Sequence, residues 1–543
     1  MPDLTIIYKD EPAGAKEATT PSTDDLQDFC NLADILKDGN KAPQCATFET
    51  GYWVLGTAFK LFPNDPKGLP WGLFSKQISG EDGVFQKPIV LALGLSKLYS
   101  SVGLTLEFDP SGPTWCCDLE IQWWRSGQVI HTQEFQPDAW QYSCMAEAHN
   151  FDMVSITFRR MSAGHRFLKL QALSYGITRV FDSEEHYSVD LCQDTDLLSD
   201  TVSVNTLDFV LRNKSAINFL FQRRQRMAVN YGEELLGVYY IASSEKTGKK
   251  YQIHTVDLVG LAEMASDHPG GIYDGVRADA LIADILGDGI PWVMDEDLAG
   301  TLLYGHLPKA SRRDNLQQVA FALSAMVCSG HREYIEITRA TKAPKGSFDD
   351  LRCYENGTIK SDNLVTAVHV TAHSYVLSDE QSNLFDEALT GDTTLEFSEP
   401  VSGLSITGGV ILESSANRAV IRGTGGQVTL TGYEYKHIKQ IYTKTNPLRN
   451  ANDEEYEVSY EDMTLVSPHN VAAVLEACYA YNLRTDTVTG KVLTTTERPG
   501  DYVEILTDDG VKRGHLLSLD YVVSGKLAAN AVILADYEGD DAG

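Results

Sequence analysis

The sequence predicts a mainly β protein with short helices, an α+β chain folded as several domains. Runs in which apolar and polar residues alternate recur along most of its length, as is typical of half-buried strands. Turn-forming stretches rich in Gly, Pro, Asn and Asp separate these runs, and few segments show helical spacing. A chain of 543 residues also exceeds the roughly 250 to 300 residues that one hydrophobic core serves. We therefore expect several β-rich domains.

The composition restricts the partners and the compartment. A net charge of −31 disfavours sequence-specific binding of nucleic acid, because phosphates would be repelled. It suits a surface along which DNA passes without adhering, and equally an ordinary acidic protein. The nine cysteines include no C-x-x-C pair, which argues against a zinc site or disulfide framework and predicts reduced thiols. We expect no classical export signal and no membrane segment, since the sequence has neither a basic leader nor about 18 consecutive apolar residues.

The N-terminal part begins with an arm and continues as a sandwich. Residues 4–8 are predicted to form a strand, and Leu26, Phe29, Leu32 and Ile35 recur at the spacing of one short helix. The runs GLTLEF, DLEIQWW and VSITFRR then alternate cleanly between turn segments such as DPSGPT and RSGQ. They predict the antiparallel strands of a jelly-roll-like sandwich.

Six of the seven tryptophans fall in this sandwich, and most are expected in its core. Trp124 is the exception, because it lies in the polar register of its strand. An outward indole can stack on a sugar, so Trp124 is a candidate glycan contact. A single exposed aromatic residue without a ligand is the alternative.

A second β-rich block begins near residue 187. The runs LLGVYYIAS and YQIHTVDLVG, joined by EKTGKK, predict a hairpin. A helix follows in RADALIADIL, with Ala280, Ile282, Ala283 and Leu286 on its apolar side.

Further helices and strands complete the chain. Asp314 and Gln317 form a predicted capping box for the helix in DNLQQVAFALSAMV. Strands return from REYIEITRA to the glycine-rich meander ending in GYEY. Ser467 and Pro468 are the predicted N-cap and first turn of a helix that runs to Tyr481, and the tail from about residue 490 is strand-like.

The glycines of HPGGIYDGVR raise the question of a phosphate-binding loop. Four residues separate Gly270 from Gly275, which is the spacing of such a loop. However, Val276 and Arg277 stand where Lys and Ser or Thr are needed, and Asp274 would repel a phosphate. We therefore predict that these glycines form a turn leading into a helix.

Signatures of catalysis or metal binding are missing from the sequence. It has no G-x-S-x-G or H-E-x-x-H motif and no cysteine in a known nucleophile context. His369 and His373 of HVTAH share one face of a predicted strand, but no third metal ligand lies nearby in sequence. The simpler interpretation is that both histidines are half-exposed residues of a strand and bind no metal. We predict no catalytic residue, no cofactor and no metal.

The strongest basic cluster of this acidic chain lies in FQRRQRM and comprises Arg223, Arg224 and Arg226. Contact with nucleic acid is one interpretation. Pairing with acidic loops of a partner subunit suits the overall charge better, so the three arginines are candidates for a subunit interface.

Several long segments carry a family resemblance. FQRRQRMAVNYGEELLGVYYIASSEKTGKKYQIHTVDLVGLAEMASDHPGGIYDGVRADALIADILGD, then LPKASRRDNLQQVAFALSAMV and GGQVTLTGYEY, resemble the tail hub (baseplate hub) proteins of tailed bacteriophages and prophages of Gram-positive bacteria. The resemblance covers roughly residues 180–543 and rests on the order of elements. SSVGLTLEFD and FLKLQALSYG resemble a galactose-binding-like jelly roll placed before the hub.

The resemblance implies a structural virion protein that is not an enzyme. Its several β-barrel-like hub domains would form a homotrimeric ring at the tail tip or baseplate, made in the host cytoplasm, with roles in host attachment and DNA ejection. The implied partners are the distal tail or tail-tube protein, a central spike, fibre or tape-measure protein, and a host surface glycan. The sequence ends at DYEGDDAG without an appended peptidase or lysozyme-like domain. The alternatives are a cell-wall-degrading glycoside hydrolase or endopeptidase, and an adhesin that binds sugar through Trp124.

These patterns predict six segments. They are an N-terminal arm with a short helix (1–45), a galactose-binding-like β-sandwich (46–178), a hub β-barrel-like domain (179–265), a helical segment (266–330), a second hub β domain (331–450) and a C-terminal α/β hub domain (451–543).

Overall fold

The structure is a computed structural model that describes residues 4–12, 14–37, 45–47, 49, 60–61, 71–110, 114–212, 221–447, 455–523 and 527–536. Within these ranges the chain is mainly β, with several sheets and five short α-helices, as the sequence predicts. The helices are α1 (Leu258–Glu263), α2 (Ala278–Leu286), α3 (Glu296–Ala299), α4 (Arg312–Ala322) and α5 (Val471–Asn482), and a 3₁₀ helix spans Leu32–Leu36.

The strands of the first half are β1 (Leu4–Lys9), β2 (Thr19–Ser22), β3 (Cys45–Ala46), β4 (Lys60–Leu61), β5 (Leu73–Ile78), β6 (Val84–Phe108), β7 (Cys116–Arg125), β8 (Gln128–Phe135), β9 (Gln141–Met161), β10 (Phe167–Tyr175), β11 (Thr178–Phe181), β12 (His186–Asp194), β13 (Thr206–Arg212), β14 (Arg226–Tyr231), β15 (Glu234–Thr247) and β16 (Lys250–Val256).

The strands of the second half are β17 (Gly271–Arg277), β18 (Trp292–Met294), β19 (Leu302–Leu307), β20 (Met326–Cys328), β21 (Ile335–Thr338), β22 (Pro344–Phe348), β23 (Thr358–Ser361), β24 (Ala367–Glu396), β25 (Val401–Thr407), β26 (Gly409–Ser414), β27 (Arg418–Thr445), β28 (Glu457–Tyr460), β29 (Asp486–Leu493), β30 (Tyr502–Thr507), β31 (Gly510–Val523) and β32 (Leu527–Ala535).

The predicted sandwich is built from one bent sheet of seven strands, ordered β5-β10-β6-β9-β7-β8, with β2 beside β6. The long strands β6 and β9 pair along two stretches, and register shifts between Gly94 and Gly103 separate the two. Apolar side chains from both stretches, including Leu91, Leu104 and Phe158, enter one core with Trp123. Whether this sheet binds galactose-like ligands stays a prediction.

A second sheet of thirteen strands is the largest sheet in the described part of the chain. Its order is β11-β1-β14-β15-β16-β13-β12-β31-β32-β29-β23, with β30 beside β31 and β22 beside β30. Its first half, from β11 to β12, and its second half, from β31 to β23 with β30 and β22, are joined where β12 pairs with β31. There Leu191 lies opposite Tyr521 and Asp194 opposite Ser518. We call this pairing the seam.

The large sheet crosses the predicted segment boundaries. It takes its strands from residues 4–9, 178–256, 344–361 and 486–535, so the arm and parts of three predicted hub segments share one hydrogen-bonded array. Their buried side chains form one core cluster. Alternation identifies strands in a sequence, but it carries no information about which distant strand becomes the partner.

A third sheet contains the long ribbon of β24 and β27, with β25, β26 and β28 along it. Helix α5 packs on the base of this ribbon, where Val370 and Val474 belong to one buried cluster. The remaining helices lie together, and α1 and α2 both pack against α4.

Several predicted helix details are wrong. The short helix predicted to include Leu26 and Phe29 spans only Leu32–Leu36, and residues 26–31 are not helical. Helix α2 buries Leu281 and Ile285, whereas Ala280 and Ala283 are exposed, because larger side chains gain more from burial than alanine.

Both predicted N-caps are also wrong. The N-cap of α4 is Ser311, whose hydroxyl accepts a hydrogen bond from the Asp314 amide, so Asp314 already lies in the first turn. The N-cap of α5 is Asn470. Ser467 and Pro468 belong to the preceding turn, in which the Ser467 hydroxyl accepts a hydrogen bond from the His469 amide.

The glycines of HPGGIYDGVR lie before and within β17, not in a turn that leads into a helix. Gly270 has φ +65°, and a Cβ there would lie 2.2 Å from the Leu307 carbonyl oxygen. Gly275 has φ +86° and occupies a bulge between Asp274 and Val276 where β17 pairs with β19. Close backbone approach and a bulge therefore explain these glycines.

Candidate functional surface

One face of the large sheet is buried. The opposite face is exposed to solvent around β12 and β13, whereas Leu534 on that face packs with Met326 and Cys328. Alternation along β12 turns Leu191 and Gln193 into the core and leaves Asp190 and Asp194 on the solvent side. The same face carries Asp208 from β13 and Asp520 from β31. We call these four aspartates the acidic strip. It spans the seam, because β31 and β13 are the two neighbours of β12.

Cys192 lies among three of these carboxylates, those of Asp190, Asp194 and Asp520. Its thiol lies 3.6 Å from Asp194 Oδ2 and donates to it. Burial, followed by the negative charges of Asp194, Asp520 and Asp190, raises the pKa of Cys192 to about 12. A thiol with so high a pKa is a poor nucleophile at neutral pH, which argues against a catalytic role for this cysteine.

The buried side of the seam is held by a polar network. The fully buried Gln193 amide nitrogen donates to the Leu236 carbonyl at 2.5 Å and to the Tyr239 hydroxyl at 3.0 Å. His331 Nε2 lies 2.8 Å from the hydroxyl of Tyr521 on the other half of the sheet. Burial and the nearby Arg498 and Arg332 cations lower the pKa of His331 to about 4, so the ring is neutral at pH 7. The Tyr521 hydroxyl also lies 3.5 Å from Gln193 Oε1, so one polar side-chain contact crosses the seam itself.

A shallow depression adjoins the acidic strip on the solvent face. Asp190, Asp208, Glu245 and His254 line it, and His254 Nδ1 pairs with the Asp208 carboxylate. Among the described residues, no group of three or more His, Cys, Asp or Glu side chains is arranged to hold a metal ion.

The predicted glycan contact, Trp124, lies on β7 and is half-buried. Its indole Nε1 is enclosed and has no hydrogen-bond partner within the described part of the chain. Trp140, which was expected in the core, is instead 41% exposed. The structure thus offers a second indole for stacking that the sequence pattern did not single out. Sugar contact by Trp124 stays a prediction.

The three predicted interface arginines have different surroundings. Arg226 forms an ion pair of 2.6 Å with Glu333 of the same chain, and Arg224 donates to the Met264 carbonyl. Arg223 is exposed. Two of the three guanidinium groups therefore already have partners within the chain, and a role in a subunit interface stays a prediction.

The histidines of HVTAH do not meet. His369 contacts Thr443 Oγ1 at 2.8 Å and Glu457 Oε2 at 3.1 Å. His373 is buried, contrary to the expected half exposure, and its Nδ1 lies 2.8 Å from His437 Nε2.

No helix in the described ranges is both long and apolar enough to cross a bilayer.

Comparison with known proteins gives distant structural matches. No protein-family model and no curated protein matches the chain. The tail protein from Neisseria meningitidis MC58 matches at 12% identity over 66% of this chain and 94% of that one, with a TM-score of 0.42. The prophage MuSo2 43 kDa tail protein from Shewanella oneidensis matches at 9% over 66% and 95%, with a TM-score of 0.40. The prophage tail protein gp18 from Listeria monocytogenes EGD-e matches at 10% over 65% and 91%, with a TM-score of 0.38.

Proposed function

We propose that this chain is a structural, non-enzymatic protein of a bacteriophage tail or tail-like particle. Three copies form a hub at the distal end of the tail tube, around a passage lined by the acidic strip. The observation that carries this proposal is the thirteen-stranded sheet, whose acidic strip crosses the seam on the face opposite the sheet's core cluster. The sequence resemblance to tail hub proteins supports the same assignment.

The electrostatics of the acidic strip suit a passage for DNA. Four carboxylates on one face, in a chain of net charge −31, repel phosphates and keep a moving polyanion from adhering. A sheet wall is also well suited to this task, because the backbone groups of its inner strands are paired with one another.

The edges of the large sheet suit assembly. β11 and β23 each pair with a single strand among the described residues, so each leaves one edge open there. An open edge is a site for association with another chain. Contacts between two different surfaces of identical copies close into a ring when the rotation between copies is a whole fraction of a turn. By the resemblance, the ring would join the tail-tube protein and anchor a central spike or fibre, while the N-terminal sheet contacts a host glycan.

Solution mass and ring formation test this proposal. The purified full chain should sediment as a trimer and, with tail-tube protein added, should form rings with a central hole in electron micrographs. A monomer at high concentration that forms no ring with the tube protein would contradict it.

Cell-wall hydrolysis is the second candidate, and one observation favours it. Asp190, Asp208 and Glu245 converge on the depression beside the acidic strip, and hydrolysis of glycosidic bonds uses two such carboxyl groups. This candidate predicts turnover of peptidoglycan that Asp208→Asn abolishes. The structural proposal predicts that neither the wild-type chain nor the Asp208→Asn variant releases reducing sugars from purified host cell walls.

A further inference from the structure

The most exposed large apolar side chain among the described residues lies at one end of the large sheet. Leu351 is 81% exposed, and Tyr354 and Val511 are 51% and 59% exposed. These three side chains, which we call the apolar knob, lie where β22 ends and β31 begins. Single exposed leucines are common, but three large exposed apolar side chains at the same end of a sheet indicate an interaction site.

The loop that carries the knob is held rigidly. Arg352, next to Leu351, forms two bonds of 2.7 and 2.8 Å with the buried carboxylate of Glu497. The same guanidinium donates to the Leu493 carbonyl, and the Leu493 amide donates back to the Arg352 carbonyl at 2.7 Å. The Leu351 amide donates to Asp349 Oδ1. Leu351 therefore protrudes from an ordered loop, so its burial by a partner would cost little conformational entropy.

Acidic residues surround the knob. β22 and β30 run parallel, with Phe348 beside Ile505, so the residues after both strands emerge at the same end of the sheet. These residues include the exposed acids Asp349, Asp350, Glu355, Asp508 and Asp509. They outnumber the nearby cations Lys491 and Lys512. The knob is thus an apolar centre with an acidic rim.

The first half of the sheet carries a basic rim next to the acidic depression described above, and the two depressions share Ser188 and Val210. Ser188 and Val210 form the floor of an open depression of about 480 Å³, and Arg212, Lys249 and Lys250 lie around it. Lys249 lies in the exposed turn of the β15–β16 hairpin, and Lys250 is the first residue of β16. A cavity of this size accommodates a leucine side chain with room for a neighbouring ring.

We propose that Leu351 of one copy inserts into the Val210 depression of the next copy, with the acidic rim against Lys249 and Lys250. This inference rests on the trimer proposed above and assigns its contact. The two surfaces differ and lie on different halves of the sheet, so the contact is head-to-tail and can close a ring. Opposite charges at its rim favour this pairing and disfavour knob against knob.

Variants at both surfaces test the contact by sedimentation velocity of the full chain. Leu351→Asp, the pair Lys249→Glu with Lys250→Glu, and the pair Asp508→Lys with Asp509→Lys should each weaken trimer formation about tenfold or more. Combining both charge-reversed pairs in one chain should restore it to within about threefold of wild type, because each interface again joins opposite charges. Leu98→Asp, and Lys87→Glu with Lys97→Glu, are matched exposed controls in the N-terminal sheet and should leave the mass unchanged.

Cysteine cross-linking gives a second measurement that does not depend on weakened assembly. A chain with both Leu351→Cys and Val210→Cys should form covalent dimers and trimers on mild oxidation, whereas each single variant should not. Wild-type trimers that persist unchanged in the Leu351 and lysine variants, without cross-links above the single-variant level, would overturn this contact and leave the trimer intact. A wild-type monomer would instead contradict the proposed function itself.

Discussion

The ion pair between Arg352 and Glu497 gives the most quantitative prediction. Burial alone would raise the pKa of Glu497, but the hydrogen bonds from Arg352 and the Thr495 amide outweigh it and lower the pKa to about 2. The side chain of Glu497 is 3% exposed, so solvent screens this pair little. Lowering a carboxyl pKa from 4.5 to about 2 contributes about 3 kcal/mol to stability at neutral pH. That contribution is complete above pH 4.5 and is lost as the pH falls towards 2.

Glu497→Gln should remove this stabilisation and loosen the loop around Leu351. The free energy of local opening should fall by about 3 kcal/mol at pH 7, because the guanidinium loses its charged partner. A chain of several domains does not unfold in two states, so amide hydrogen exchange is the suitable assay. The protected amides of Cys353, Tyr354 and Leu493 should exchange about a hundredfold faster in the variant.

An exposed ion pair provides the matched control. Glu504 pairs with Arg513 at 2.9 Å, but their side chains are 30% and 58% exposed, so Glu504→Gln should cost less than about 1 kcal/mol. Exchange in Glu497→Gln that stays within threefold of wild type, or equals that of Glu504→Gln, would refute the assigned role of the buried pair.

Three further predictions concern single residues. Gly270→Ala should lower the free energy of local opening around its site by more than about 2 kcal/mol, against about 1 kcal/mol for Gly248→Ala, because both glycines have positive φ but only Gly270 lies against a backbone oxygen. Equal acceleration of amide hydrogen exchange at the two sites would contradict this. Because its pKa is about 12, Cys192 should react with iodoacetamide at pH 8 roughly a thousandfold more slowly than an ordinary thiol, and Asp194→Asn should increase this rate. Rapid labelling of Cys192 in the wild-type chain, measured by mass spectrometry, would contradict this prediction. If the N-terminal sheet binds sugar through Trp124, Trp124→Ala should weaken binding on a glycan array by about fivefold or more, and an unchanged signal would exclude this contact.

The sequence predicts the strand content well because alternation is a local property. The run YSVDLC already shows that Asp190 faces away from Leu191, and EKTGKK marks the hairpin turn that carries Lys249. The candidate surface could not be predicted in the same way. Its carboxylates come from β12, β13 and β31, and more than 300 residues separate Asp190 from Asp520 along the chain.

Other features depended on packing that no local pattern records. Arg226 stands in a basic run, yet its partner Glu333 lies more than 100 residues away. Alternation correctly separates Trp124 from the buried Trp123, but it does not reveal that the Trp124 Nε1 is enclosed. Leu351 looks like an ordinary apolar residue in sequence, and only the turn after β22 exposes it.

A symmetric electron cryomicroscopy reconstruction of the ring formed with tail-tube protein is the most direct test. We expect three copies of the chain, with Asp190, Asp208 and Asp520 facing the central axis. A single copy, or a ring whose acidic strip lies on its outer wall, would contradict the account.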